Sequence, residues 1–187
     1  MSLTNPFFTI FTPVYNSKDT IHRVWESLNS QSFKSFEWII IDDGSDDNIK
    51  PIVDEFIKSK KFKIIFYRQP NKGKHIAWNK ALKLASGLLF IPADSDDRFD
   101  KETLSFFYDK WINLTNLEKN NFSGINVLCK DNIKGEVVGD MYPSNYFKTN
   151  LLDLTYKYKI HGEKWGCIRL DLLKKYPYPE IIGRGSY

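Results

Sequence analysis

Apolar residues recur along the first two-thirds of the chain in two alternating patterns. Short, nearly unbroken runs occur at Phe7–Thr12, Phe36–Ile41, Phe62–Phe66 and Leu88–Ile91. Their length and composition suit strands buried on both faces. Between them, apolar residues fall at helical spacing: Ile21, Val24, Trp25 and Leu28, then Ile49, Ile52, Val53, Phe56 and Ile57, then Ile76, Ala77, Ala81, Leu84 and Ala85. Asn16 or Ser17 is the candidate cap of the first helix, and Asp46 and Asp47 of the second. Asp97 and Asp100 are the candidate caps of a fourth helix starting near Lys101. Pro51 suits the second helix if it falls in the first turn. Four β-α units in succession predict an α/β fold, a mostly parallel open sheet of Rossmann-like units with helices on both faces.

After about residue 118 the pattern changes. Phe122–Lys130 and Glu136–Asp140 are expected as strands around a turn at Lys134-Gly135. Leu151–Tyr158 is expected as a short helix, Lys164–Arg169 as a strand and Leu170–Lys175 as a helix. The spacing predicts two halves of one domain, 6–118 and 119–187, the second a mixed extension of the first.

Open parallel sheets bind ligands beyond the carboxyl ends of their strands. Here those ends carry Thr12-Pro13-Val14-Tyr15, Asp42-Asp43 and Asp94-Ser95-Asp96-Asp97. Two carboxylates with one spacer can offer oxygens to Mg²⁺ or Mn²⁺ while a diphosphate completes the shell. The same residues are also ordinary turn and cap chemistry. Asp43 can accept from a base or ribose, Tyr15 can lay its ring on a nucleobase, and Pro13 shapes the loop between them. Asn71-Lys72-Gly73-Lys74-His75 can meet a diphosphate near a helix N-terminus. A generic basic loop with a structural histidine is the bland alternative.

Composition and charge exclude some classes. The net charge is +4 and diffuse, without the basic stripe of a nucleic-acid binder. Weak attraction to an anionic membrane surface is compatible with it. Cys129 and Cys167 do not form a metal pair by spacing and read as free thiols of a reducing compartment. No run approaches a membrane span, and Met1–Pro6 lacks the features of a signal peptide and reads as a short tail. The expectation is a soluble cytoplasmic chain, at most peripheral at the inner face of a membrane. A Rossmann dehydrogenase needs a glycine-rich turn that is missing here. A receiver-type domain built on Asp42, Asp43 and Asp94 is shorter and leaves the second half unexplained.

Together, Thr12-Pro13-Val14-Tyr15-Asn16, Ile41-Asp42-Asp43-Gly44-Ser45, Asn71-Lys72-Gly73-Lys74-His75 and Asp94-Ser95-Asp96-Asp97 resemble, in order and spacing, glycosyltransferase family 2 with its GT-A fold. The resemblance is strong over residues 6–110 and looser from Gly162-Glu163-Lys164-Trp165 to Pro179-Glu180. It implies an inverting, metal-dependent glycosyltransferase that moves a sugar from a nucleoside diphosphate, UDP, to an acceptor hydroxyl. The implied acceptor is a saccharide or lipid-linked molecule of cell-envelope polysaccharide synthesis. The resemblance sets Thr12, Pro13 and Tyr15 at the base and ribose, with Asp43 accepting from the base and Asp42 supporting the loop. It sets Asp94 near the ribose or donor sugar, Ser95 beside it, and Asp96, with Asp94, on Mn²⁺ or Mg²⁺. Lys74 and His75 neighbour the donor. The family's general base follows a loop like Tyr176–Glu180. It is expected beyond Tyr187, which makes the chain a shortened form ending in Gly183-Arg184-Gly185-Ser186-Tyr187 and makes 119–187 a truncated acceptor-side half. The alternative is a non-catalytic nucleotide-sugar-binding module.

Overall fold

A computed structural model describes residues 5–131 and 133–180. The calls on the first four residues and on the last seven lie outside them. Six strands form one sheet: β1 (Phe8–Val14), β2 (Phe36–Asp42), β3 (Lys63–Arg68), β4 (Leu89–Pro92), β5 (Gly124–Leu128) and β6 (Lys164–Arg169). Their spatial order is β3-β2-β1-β4-β6-β5. The four strands predicted in the first half are parallel neighbours, and β6 runs antiparallel to β4. The helices are α1 (His22–Ser30), α2 (Lys50–Lys58), α3 (Lys74–Leu84), α4 (Thr103–Ile112), α5 (Asn116–Asn121) and α6 (Leu170–Lys175).

The chain leaves β1 for β2 and β3 on one side, then crosses back to β4 on the other. The switch point therefore lies between β1 and β4, where such sheets open a crevice. Alternation along β1 and β2 feeds two cores. Phe11, Ile39 and Ile41 meet Ala77, Ala81 and Leu82 of α3. On β2, Trp38 instead stacks with Trp25 of α1 and Phe56 of α2. Each such side chain fully withdrawn from water contributes about 1.5–3 kcal/mol.

The expected caps are not the observed ones. The α1, α2 and α4 starts carry no side-chain cap from the residues preceding them. Asp47 instead accepts from the Lys18 N–H, and Asp97 from the Asp94 N–H. The start of α4 is held from another helix end, because Gln31 Oε1 accepts from the Leu104 N–H. Pro51 falls in the first turn of α2, as expected. Helix α5 is an addition to the sequence reading, and it begins with a capping box between Thr115 and Glu118.

The described residues through Ile125, together with those from Cys167 onward, form one compact unit, and Asn126–Gly166 form a second. β6 brings the chain back beside β4. Within the second unit the expected strand Glu136–Asp140 reduces to one bridge, Lys130 to Val137. Gly139 has φ +89° and packs so directly on Gly162 that neither position has room for a side chain. The expected helix at Leu151–Tyr158 becomes a π-helical turn, Asp153–Lys157. Among the described residues no helix is long and apolar enough to cross a membrane.

One acid lies in the apolar run of β2. Glu37 is fully buried. It accepts from Thr9 Oγ1, from the Ser86 N–H and Oγ, and from Lys63 Nζ at 2.7–2.8 Å. It thereby ties β1, β2, β3 and the turn before β4. Burial raises its pKa, but the bonds from Lys63, Ser86 and Thr9 outweigh that, and the pKa falls below the ordinary glutamate value. Its stabilisation is therefore complete above the unfolded pKa and is lost as pH falls through the lower folded value. Glu37→Gln should cost about 1.5–3 kcal/mol at neutral pH and flatten the acid limb of the stability curve. Urea denaturation across pH reads both effects, and an unchanged acid limb contradicts the assignment.

Candidate functional site

Four loops leave the carboxyl edge of β1–β4, and the sequence-predicted residues lie on them. The strand ends align, since Val14 pairs with Asp42, and Asp42 with Arg68. The Asp43 N–H donates to the Val14 carbonyl at 2.9 Å, so the acidic turn begins level with the end of β1.

Asp43 is the floor of the site. It is completely buried. Its Oδ1 accepts from Gln69 Nε2 at 2.8 Å and the Lys72 N–H at 2.9 Å, and its Oδ2 accepts from the Gly73 N–H at 2.8 Å. One carboxylate thus gathers the β3–α3 loop onto the end of β2. Gly44 is forced by the same approach. Its φ is +84°, and a side chain there would meet the Asn71 nitrogen at 2.7 Å. Asp42 accepts from the Ser45 N–H at 2.8 Å, with Arg68 Nε 3.6 Å from its other oxygen. Arg68 also donates to the Ser45 carbonyl at 2.8 Å.

The β1–α1 turn joins this floor from the other side. The Asn16 N–H donates to Ser45 Oγ, and Asn16 Oδ1 accepts from the Asp46 N–H. Tyr15 is exposed at the edge. Thr12 is not: it is buried, and its hydroxyl accepts from the Trp38 indole at 2.9 Å. β1 thus turns the Thr12 hydroxyl toward the core rather than toward the loops. Pro13 is also buried, within β1.

The β3–α3 loop delivers Lys74 as the first residue of α3, with His75 next and half-buried. Lys74 Nζ lies 2.5 Å from Asp94 Oδ1 on the β4–α4 loop. Ser95 Oγ donates to Ser17 Oγ at 2.9 Å, which returns the chain of contacts to the β1–α1 turn. The four loops therefore close into a ring around the edge of the sheet.

Asp94 and Asp96 are both exposed, and among the described residues no hydrogen bond engages the Asp96 side chain. Among the described residues no three His, Cys, Asp or Glu side chains converge. The donor set fits a hard cation that takes one or two carboxylates and fills its shell with phosphate oxygens and water. A closed structural metal cage does not fit it. Lys74 and Asp94 form an exposed pair, of the kind worth about 0–1 kcal/mol, so the ammonium can leave Asp94 for an incoming anion at little cost.

On the second half's side, Glu180 lies 3.8 Å from Lys83 of α3. Its loop is fixed by Asn79, whose amide donates to the Tyr178 carbonyl and accepts from the Tyr178 N–H. Glu163 is exposed in the second unit. Sequence reasoning missed Asn79, Gln69, Gln31 and Ser17 as organisers. Their partners lie far along the chain, backbone groups for Asn79 and Gln31, the Asp43 carboxylate for Gln69 and the Ser95 hydroxyl for Ser17, and local patterns do not reveal them.

The frame is that of the GT-A glycosyltransferases among solved structures. TarS of Staphylococcus aureus superposes with a TM-score of 0.70 at 28% identity, covering 92% of this chain and 50% of that one. A mannosyltransferase of Pyrobaculum calidifontis, at 17% identity, shares the fold with a TM-score of 0.67 over 97% of this chain and 50% of that one. The chain belongs to glycosyl transferase family 2, whose sequence model matches residues 9–167. Glycosyltransferase TuaG of Bacillus subtilis is 35% identical over 104 residues, 56% of this chain and 41% of the relative. The poly(ribitol-phosphate) beta-glucosyltransferase of Bacillus spizizenii is 30% identical over 161 residues, 77% of this chain and 25% of the relative. The chain thus spans less than half the length of these curated relatives.

Asp43→Asn tests the floor. Either amide orientation sets an NH₂ group against a donor already present. The variant should lose about 1–3 kcal/mol of stability, with faster amide exchange at Lys72 and Gly73. Denaturation and hydrogen exchange read the two effects. Unchanged protection at Lys72 and Gly73 contradicts the role.

Proposed function

We propose that this chain binds a UDP-sugar at the carboxyl edge of β1–β4 and serves sugar transfer to an acceptor hydroxyl. The observation that carries the reading is the ring of loops that brings Tyr15, Asp43, Lys74, Asp94 and Asp96 to the switch point of the sheet. Family membership supports transferase chemistry. UDP as carrier is supported by TarS, solved with UDP and with UDP-GlcNAc and 28% identical to this chain. A cell-wall polymer as acceptor is supported by the poly(ribitol-phosphate) transferases among the relatives.

In this reading the Tyr15 ring faces the base. A carboxylate has about four lone-pair sites, and the three bonds to Asp43 leave one for a ring N–H. That acceptor suits uracil, which has a ring N–H, better than cytosine. The base must displace the cover over Asp43, since the residue is sealed here. Lys74, at the positive end of α3, transfers its charge from Asp94 to the diphosphate. Asp96 and then Asp94 would hold a divalent cation, Mn²⁺ or Mg²⁺. A bound cation supplies charge neutralisation at the departing diphosphate. Attack by the acceptor oxygen opposite the leaving group inverts the anomeric carbon. The acceptor proton goes to a base that we assign to none of the described acids.

Calorimetric titration of UDP with and without Mn²⁺ is the test, with CDP as competitor. UDP should bind more tightly with Mn²⁺, and Asp96→Ala should abolish the difference. Asp97→Ala, which loosens the turn at Asp94 without removing a ligand, should lose less. CDP should bind about ten-fold or more weaker, the cost of losing a hydrogen bond to a charged group. Equal UDP affinity with and without metal, or none in either, refutes the metal reading. Indifference between UDP and CDP removes Asp43 from base recognition.

A further inference from the structure

The β4–α4 loop lies along α1 and is pinned at several points. Gln31, buried at the end of α1, donates to the Asp100 carbonyl at 2.8 Å and accepts from the Leu104 N–H at 3.0 Å. One turn earlier Ser27 Oγ accepts from the Phe99 N–H at 3.3 Å, and another turn earlier Arg23 Nη1 approaches the Asp96 carbonyl at 3.5 Å. Residues 23, 27 and 31 are four apart and share one face of α1. This rail is firm at the α4 end and weak at the Asp96 end. The firm tie from the β1–α1 turn to this tip is the Ser95–Ser17 hydrogen bond at 2.9 Å.

Ser17 is nearly buried, and its hydroxyl is fully used. It donates to the Tyr15 carbonyl at 3.2 Å and accepts from the Tyr15 N–H at 3.3 Å and from Ser95 Oγ. One donor and two acceptor sites are all that a hydroxyl has. The same oxygen thus fixes the turn of Tyr15 and the residue between Asp94 and Asp96, and it bridges β1 to β4 at the switch point of the sheet. If Ser17 served only its own turn, the bond from Ser95 would have no consequence for the acidic loop.

We propose that Ser17 is a positioning residue that couples the Tyr15 turn to the Asp94–Asp96 loop, so that metal binding at one strengthens nucleotide binding at the other. The proposal rests on the nucleotide-site reading above. Removing the hydroxyl leaves Ser27 and Gln31 to hold α4, while the Asp94–Asp96 tip loses its firm tie to Tyr15.

UDP is titrated into the full chain with and without Mn²⁺, and the ratio of the two affinities is the readout. Ser17→Ala should lower that ratio about two- to ten-fold, the range expected for one lost neutral hydrogen bond. Ser17→Thr, which keeps a hydroxyl, should restore it. Ser95→Ala removes the same bond from the other side. It should give a similar loss, and the double variant should lose no more than either single one. Ser95→Ala carries the test alone if Ser17→Ala does not fold. A merely structural Ser17 would shift both affinities together and leave the ratio intact. A ratio kept by Ser17→Ala or Ser95→Ala, or losses that multiply in the double variant, overturns the coupling alone. A wild-type ratio of one overturns the underlying metal reading and the coupling with it.

Discussion

A buried negative charge that must be satisfied organises the carboxyl edge of this protein. Asp43 follows β2 with its carboxylate withdrawn from water, and leaving it unpaired there would be costly. The chain answers with donors from the end of β3 and the start of α3. That requirement fixes the path of Asn71–Lys74, demands glycine at position 44, and sets where α3 begins. The position of Lys74, and through it the contact with Asp94, follows from a bond made at the floor of the site.

The ring of loops has a gradient of strength. The floor at Asp42 and Asp43 is buried and tied by backbone N–H groups, whereas the mouth is closed by an exposed ion pair and a hydroxyl–hydroxyl bond. Charge-assisted bonds withdrawn from water hold geometry, while exposed ion pairs exchange partners cheaply. A nucleotide site benefits from both. In the proposed nucleotide site the rigid floor would set where a base lies, and the loose mouth would let cationic and anionic groups rearrange around a diphosphate. At the opposite end of the sheet, Glu37 joins the same four parallel-strand segments, so both edges of the sheet are stitched by buried carboxylates on β2.

The parallel strands and their helices were legible because burial on both faces leaves long apolar runs, and because Phe11, Ile39 and Ile41 need the face that α3 supplies. The caps were not. Asp47 and Asp97 have the chemistry of caps, but Asp47 accepts from Lys18 in the β1–α1 turn and Asp97 from Asp94 in its own turn, and the Leu104 N–H at the start of α4 is taken by Gln31 of another element. Thr12 was read from its place in a motif, yet the alternation of β1 sends its hydroxyl to Trp38. Glu37 was visible as a lone acid inside an apolar run, a pattern that already calls for buried partners. The Thr115–Glu118 capping box was equally visible as the start of α5. The second unit was least legible. Its conformation depends on two glycines 23 positions apart, Gly139 and Gly162, meeting face to face.

The account stands most directly on where a nucleotide lands. Backbone amide shifts of the chain, followed by NMR while UDP and Mg²⁺ are added, read that position. The ring predicts the largest changes at Tyr15–Ser17, Asp43–Asp46, Lys72–His75 and Asp94–Asp97. Changes confined to the second unit, with the four loops silent, would contradict it.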